Sequence, residues 1–462
     1  SWLHFFSWSL NRDALNGGFL QPFQLKIIFC RVQRNLLYRL PAQAIVEWDE
    51  ARHIASAIEM LNNHNFLINS YQNLPDYWNA KPILSFWGAA TGYSLYGDIV
   101  GLRLFSLISA MLVCMLTFIY GKNLAGIWCG LLAILLLITT PKLLHFHGAR
   151  TADSDMLFIL WICIAFFCLA YVRRHSYVLA YIVLGMAFLT KSFHAVPFAI
   201  AAFFYTIYVY KNLKTSFWPV FYAPFFFWLP VLIWGLLRYT ADGTQFFETM
   251  IFYDLLKRST STIEGHYAPL GFYVYFLFKT YSLFLFVSLY FLFKKFSFIL
   301  MKQPQVILLL LWTFIPLFLY STASSKLVWY IYPIMPSLVI LLSLIIVKHT
   351  PLLTPLRQRM VIFMITIMLL FNETTLINRI IKNERETDRV IIAINQISQI
   401  DTHKKLLFLA DSPQNVRQHY YASALVAKNI TIENGGEPAF NASTIIPRFL
   451  IDNNGNIKKV IK

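Results

Sequence analysis

Asp49 and Glu50 stand side by side at the head of a stretch in which Ile54, Ile58 and Leu61 recur at helical spacing. A carboxylate next to a low-dielectric phase can act as a general base, because burial and neighbouring charges tune its pKa. The plainer role is an N-cap for the helix that follows, since Asp is favoured there; the two roles are compatible. Lys81, before Pro82, could neutralise a lipid phosphate as a point charge or snorkel to a membrane interface. The run GARTADSDML places Arg150, Asp153 and Asp155 at the entrance to an apolar span. A helix N-terminus accounts for one acid there; a second costs energy unless it is paired or metal-bound. The stretch 238–268 holds Asp254, Lys257, Arg258, Glu264, His266 and Tyr267. It reads as a polar loop able to close on a substrate, or as a solvated connector. His266 beside Glu264 lacks the spacing of a known metal site. Lys326 and Tyr330, four apart after Ser324 and Ser325, would share a helical face and could bind a phosphate and a hydroxyl. Snorkelling is again the competing account.

These residues must be positioned by membrane spans. Apolar types make up 58% of the 462 residues and charged types 13%, with a mean hydropathy of +0.56. A soluble globule needs more charge to cover its surface. Spans fall near 99–119, 124–141, 153–172, 176–190, 193–210, 216–237, 269–293, 305–320, 327–347 and 355–377; most are about the length a ~30 Å hydrocarbon core demands, and the one at 176–190 is short. One set of loops carries Lys122, Arg173, Arg174, Lys211, Lys214, Lys294, Lys295, Lys302, Lys348, Arg357 and Arg359 without a carboxylate. Short loops rich in Lys and Arg stay cytoplasmic, so the carboxylate-bearing loops are assigned to the outside of an inner (plasma) membrane. Much of the net charge of +17 is this loop bias, which points to anionic lipid headgroups rather than nucleic acid. The five cysteines give neither a disulfide framework nor a metal knuckle.

Residues 1–48 contain a weak first span at 18–30, interrupted by Lys26. Residues 49–98 form the first outside loop, with a helix suited to the membrane interface and Tyr71, Tyr77 and Trp78 as interfacial aromatics. Residues 99–377 are the transmembrane domain. After 377 the pattern changes: an amphipathic stretch at 378–400, then LLFLA (406–410), a helical stretch near 412–427, ITI (430–432) and TIIPRFLI (444–451) alternate like a small α/β unit. The fold class is thus a polytopic α-helical membrane protein of about 10–11 spans with a small extracytoplasmic α/β C-terminal domain.

The order of the motifs is more specific than any one of them. An acidic pair, Lys-Pro before a Trp-containing apolar run, Gly-Leu-Arg-Leu (101–104) and Arg-x4-Asp-x-Leu (150–157) come in turn. Leu-Thr-Lys (189–191), Arg258 with Gly265-His266, and Ser-Lys-Leu (325–327) with Tyr330 and Pro333 follow. Over residues 48–348 this resembles the protein O-mannosyltransferase and lipid A aminoarabinose transferase superfamily, membrane glycosyltransferases of GT-C fold. The resemblance implies an inverting transfer of sugar from a polyprenyl-phosphate donor to a lipid, glycan or protein acceptor at the outer face. It implies Asp49 as the catalytic aspartate with Glu50 its usual neighbour, and Lys81 beside the donor phosphate. Asp155 rather than Asp153 is implied as the second acid, because Arg150 precedes it by five. Arg258 and His266 correspond to basic residues of the long loop, and Lys326 and Tyr330 to the phosphate side. A divalent cation near Asp49 and Asp155 is left open, because relatives differ. Ser192 stands where the family has glycine, a departure that concerns a turn. Two rival readings are a secondary transporter, whose charges belong near the midplane, and a noncatalytic membrane sugar-binding subunit. The sugar and the acceptor are not legible.

Overall fold

The structure is a computed structural model that describes residues 34–171, 176–213, 218–262, 265–294, 303–352, 354–382, 388–400, 403–411 and 416–461. The weak span at 18–30 lies outside them. Seven of the described helices are long and apolar enough to cross a membrane, and two shorter apolar ones accompany them.

The loop region before the first long span is built on α1 (Asp49–Asn63) and α2 (Leu84–Tyr96). Between them runs the short hairpin β1 (Ser70–Tyr71) and β2 (Leu74–Pro75). The bundle follows with α3 (Ile99–Ala125), α4 (Ile127–Ile138), α5 (Asp155–Tyr171), α6 (Ser176–Lys191) and α7 (Val196–Leu213). It is completed by α8 (Trp228–Asp242), α9 (Phe272–Lys294), α10 (Pro304–Thr322), α11 (Met335–His349) and α12 (Pro355–Lys382). All ten expected spans are helical, with shifted ends. Helix α4, at 12 residues, rises only ~18 Å, short of a full crossing on its own. The segment before α8 is a 3-10 turn over Ala223–Phe227, and α9 kinks at Tyr281.

Helix α2 crosses α3 where Gly92 and Gly101 face each other; a Cβ on either would overlap the other's carbonyl. This lets the loop helix sit directly on the first long span. The apolar face of α1 differs from expectation. Ile54 and Ile58 are buried, but by Ala89, Ala90, Leu102 and Ala422 rather than by lipid. Each such side chain contributes about 1.5–3 kcal/mol when removed from water, so α1 is a packed element of the protein and not a helix floating at an interface.

The tail folds as three layers. β3 (Lys405–Leu409), β4 (Ile430–Glu433), β5 (Arg448–Ile451) and β6 (Ile457–Ile461) form a sheet of order β4-β3-β5-β6, parallel except for the last pair. Helices α13 (Arg389–Ile400) and α14 (Gln418–Ala427) cover the face with Leu407, Leu409 and Phe449. Helix α15 (Gly436–Ala442) places Phe440 on the other, against Leu406, Phe408 and Leu450. Strand β6 escaped the sequence reading because IKKVI is exposed throughout and carries no alternation of apolar and polar residues. The domain docks through α14 onto α1, where the Tyr421 hydroxyl donates to Glu59 at 2.7 Å.

Candidate active site

Asp49 is the first helical residue of α1, and the N-cap position falls to Trp48, whose side chain makes no capping bond. The cap expected from sequence is replaced by an ion pair: Lys81 Nζ lies 3.1 Å from Asp49 Oδ1 and 3.5 Å from Asp153 Oδ1. His147 Nδ1 bonds Asp153 and stands 3.6 Å from Asp49 Oδ2. Three separate segments thus converge, and local constraints hold each of them. Residue Trp48, before Asp49, has φ 69° and ψ −103°, a conformation costing a bulky residue about 1–3 kcal/mol. It is forced by its neighbours. Glu47 accepts from the Gln418 amide at 2.8 Å, and Glu50 accepts from the amides of Val46 (2.8 Å) and Ala152 (2.9 Å). His147 also has positive φ, at 50°. Gly148 follows it, where any Cβ would strike the Leu143 carbonyl. The His147 ring stacks on Trp329, centroids 3.9 Å apart.

The electrostatics follow from this packing. Burial alone would lift the Asp49 carboxyl; the Lys81 ammonium and His147 outweigh that and hold it below its usual range. Burial opposes the Lys81 charge, yet Asp153 and Asp49 raise its pKa. Burial likewise opposes a charged His147, and Asp153 and Asp49 overcome it, so its pKa is raised. His53 forms a neutral wall: burial and Lys81 push it down to about 3, and its Nε2 lies 2.7 Å from Ser85 Oγ. Of the clustered carboxylates Asp49 alone is reachable, its side chain 23% exposed against 1% for Asp153.

Asp155 belongs to an adjoining group. Its partner is Lys191 at the end of α6, and not Arg150. The Lys191 ammonium also lies 5.7 Å from the Tyr330 ring centroid. The Tyr330 hydroxyl accepts from Arg258 at 3.2 Å, and Arg258 is held by Asp254 at 2.9 Å. Asp254 and Lys257 lie in a π-helical turn, Thr249–Lys257, a rare geometry that recurs at functional sites. Ser192, φ 45°, donates its hydroxyl to Asp254 at 3.2 Å.

Other candidates have different tasks. Both Glu50 oxygens are taken by Arg103, which is itself fully buried, so Glu50 locks the turn and is turned from the cluster. Arg150 donates to the carbonyls of Asn35, Leu36 and Tyr38 and to Gln43, clamping the chain that enters the first loop. Lys326 does not share an α-helical face with Tyr330: Tyr330 lies in a 3-10 stretch, Val328–Ile334. The Lys326 ammonium donates to the carbonyls of Ala323 (2.6 Å) and Ala268 (3.0 Å). The His266 carbonyl accepts the Lys326 amide at 3.1 Å, and His266 serves to tie the long loop down. Tyr71 and Trp78, read from sequence as interfacial aromatics, flank the Arg52 guanidinium at 4.4 and 4.6 Å. Conversely, sequence reasoning missed Lys191, although Leu-Thr-Lys was noted, and His147, six residues before Asp153.

A cation site at Asp49 and Asp155 is not what forms. The grouping with ligand atoms within 4.8 Å of one another is Asp49, His147 and Asp153 among the described residues. Lys81 already supplies its positive charge, and the Nδ1 through which His147 would ligate is already taken by Asp153. These residues therefore do not fit a resident divalent ion without displacing Lys81. What they do suit is a proton acceptor with an anion-binding rim made of Lys81, Lys191 and Arg258.

Known proteins bear on this arrangement. A sequence profile described as dolichyl-phosphate-mannose-protein mannosyltransferase matches residues 80–234. An undecaprenyl phosphate-alpha-4-amino-4-deoxy-L-arabinose arabinosyl transferase of Sodalis glossinidius is 27% identical, over 67% of this chain and 56% of that protein. One from Shewanella sediminis is 26% identical, over 67% and 57%. The chain thus spans a little over half the length of these curated relatives. The crystal structure of ArnT from Cupriavidus metallidurans bound to undecaprenyl phosphate superposes with a TM-score of 0.72 at 14% identity, covering 94% of this chain and 93% of that one. An Archaeoglobus fulgidus oligosaccharyltransferase superposes at 0.54, with 12% identity and coverage of 89% and 64%. By fold and sequence together, this integral membrane protein has the GT-C architecture and is similar to members of the protein O-mannosyltransferase and lipid A aminoarabinose transferase superfamily.

Proposed function

We propose that the protein transfers a sugar, with inversion, from a polyprenyl-phosphate donor to an acceptor hydroxyl at the outer face of the inner membrane. The observation that carries this is the contact of the accessible Asp49 carboxylate with Lys81, within a rim that also holds Lys191 and Arg258. The names of the relatives, aminoarabinose transferases using undecaprenyl phosphate, support the donor class. The acceptor oxygen attacks the anomeric carbon and its proton passes to Asp49. The bond from that carbon to the phosphate oxygen breaks, and the electron pair leaves with the polyprenyl phosphate. Asp49, held below its usual pKa, is ionised at neutral pH and takes the proton as the hydroxyl acidifies in the transition state. Lys81 and Arg258 stabilise the charge growing on the leaving phosphate.

The outside assignment rests on the eleven cytoplasmic-loop cations. The decisive experiment uses the protein in nanodiscs with a radiolabelled undecaprenyl-phosphate sugar. Asp49→Asn keeps shape and removes the base, so transfer should fall about 10²-fold or more with donor binding retained. Near-parental transfer would remove Asp49 from the mechanism.

A further inference from the structure

The two segments that bring Asp49 and Lys81 together each carry a tryptophan just beyond the ion pair, Trp48 and Trp78. Their indole rings meet at 5.8 Å between centroids, tilted by 39°, while the ion pair closes at 3.1 Å. Both rings stay open: Trp48 is 57% exposed and Trp78 37%. Neither is loose. Arg52 lies over the Trp78 ring at 4.6 Å and is itself fixed by both Asp76 oxygens at 2.7 and 3.0 Å. Trp48 is held at positive φ between the anchored residues Glu47 and Glu50. The anchored neighbours account for the strained backbone of Trp48 but leave its ring open beside the Asp49 carboxylate.

We propose that Trp48 and Trp78 form the acceptor subsite, a rigid aromatic shelf that takes the sugar ring of a carbohydrate acceptor, glycan or glycolipid. This deepens the proposed function and rests on it. The C–H-bearing face of a pyranose lies flat on an indole, while its hydroxyls stay at the rim, where one can reach Asp49. Rings already immobilised lose little entropy on binding. A lipid anchor is the weaker reading, because the shelf is built against Arg52, Asp76 and Glu47, a polar setting that a hydrocarbon phase would penalise.

The test is a fluorescence titration of the full chain in nanodiscs with cellobiose, maltose and di-N-acetylchitobiose, and with a Ser/Thr pentapeptide. Since there are 12 tryptophans, the signal is read as the difference from the double variant Trp48→Leu/Trp78→Leu, which lacks both rings. Saturable quenching by at least one disaccharide is expected, weakened about tenfold in Trp48→Leu and mostly retained in Trp48→Tyr. Trp48→Gly, which relieves the backbone, should keep or raise the melting temperature and still lose sugar binding. Binding of the peptide instead, no saturable quenching at all, equal affinity in Trp48→Leu, or quenching of Trp48 by brominated lipid would each overturn the subsite. Binding of the radiolabelled undecaprenyl-phosphate sugar, measured in parallel without acceptor, separates the two readings. Its absence counts against the transferase, and its presence without sugar binding counts against the shelf alone.

Discussion

Lys81 Nζ stands 3.1 Å from Asp49 Oδ1, so the proposed base and the cation proposed for the leaving phosphate touch before any substrate is bound. Donor phosphate drawing Lys81 toward itself would loosen this contact and strengthen the carboxylate as a base. In the proposed mechanism, that movement of the ammonium would couple donor binding to activation of the acceptor.

Lys81→Met is therefore expected to weaken donor affinity by about tenfold to a hundredfold, the value of a charge-assisted hydrogen bond. Lys326→Met should act differently. Its ammonium is spent on the Ala323 and Ala268 carbonyls, so thermal stability should drop more than donor affinity. Donor titrations and melting curves on both variants, with Lys122→Met as a distant control, check this pairing. Equal donor affinity in Lys81→Met and the control would take Lys81 out of the site.

Glu50 and Asp49 are neighbours with opposite expected responses. Glu50→Gln leaves the fully buried Arg103 without its carboxylate, which should cost about 3–5 kcal/mol of stability. Asp49→Asn should cost little stability, its side chain being partly exposed. Denaturant unfolding in detergent decides the point. A Glu50→Gln protein as stable as the parent would assign Glu50 to chemistry instead.

His147 makes the stability of the site depend on pH. Its pKa is raised in the folded state, so its contribution is complete below the ordinary value of 6.5 and is lost as pH rises through the raised one. The melting-temperature gap between parent and His147→Gln should be widest near about pH 6 and shrink toward about pH 9. A constant gap would mean that the His147 pKa is the same in the folded and unfolded states.

Ser192 sits at φ 45°, a conformation that glycine adopts without penalty. Ser192→Gly should hold or raise the melting temperature while releasing Asp254, and with it the orientation of Arg258. The expected readout is a few-fold rise in donor KM, about what one neutral hydrogen bond is worth, without loss of fold. If Ser192 only fills a turn, KM stays at the parental value.

Much of this protein was legible before any coordinates. The spans follow from apolar length, because a bilayer permits only helices that satisfy their own backbone. The tail's strands at 406–410 and 430–432 follow from short apolar runs between breaks. Asp49, Lys81 and Arg258 were visible because their spacing and order are a linear pattern. Pairing was not. Whether Asp153 or Asp155 joins Asp49 depends on which cation reaches each, and Lys191 takes Asp155 from α6, 36 residues away. Arg150 looked like a site residue from its register with Asp155, but its guanidinium is spent on carbonyls more than 100 residues earlier. His147 gained its role through a left-handed turn and the stacking of Trp329. One-dimensional order lists the charges a chain possesses; their partners are set by low-dielectric burial, where each charge must find the nearest opposite one, and that neighbour exists only after the helices have packed.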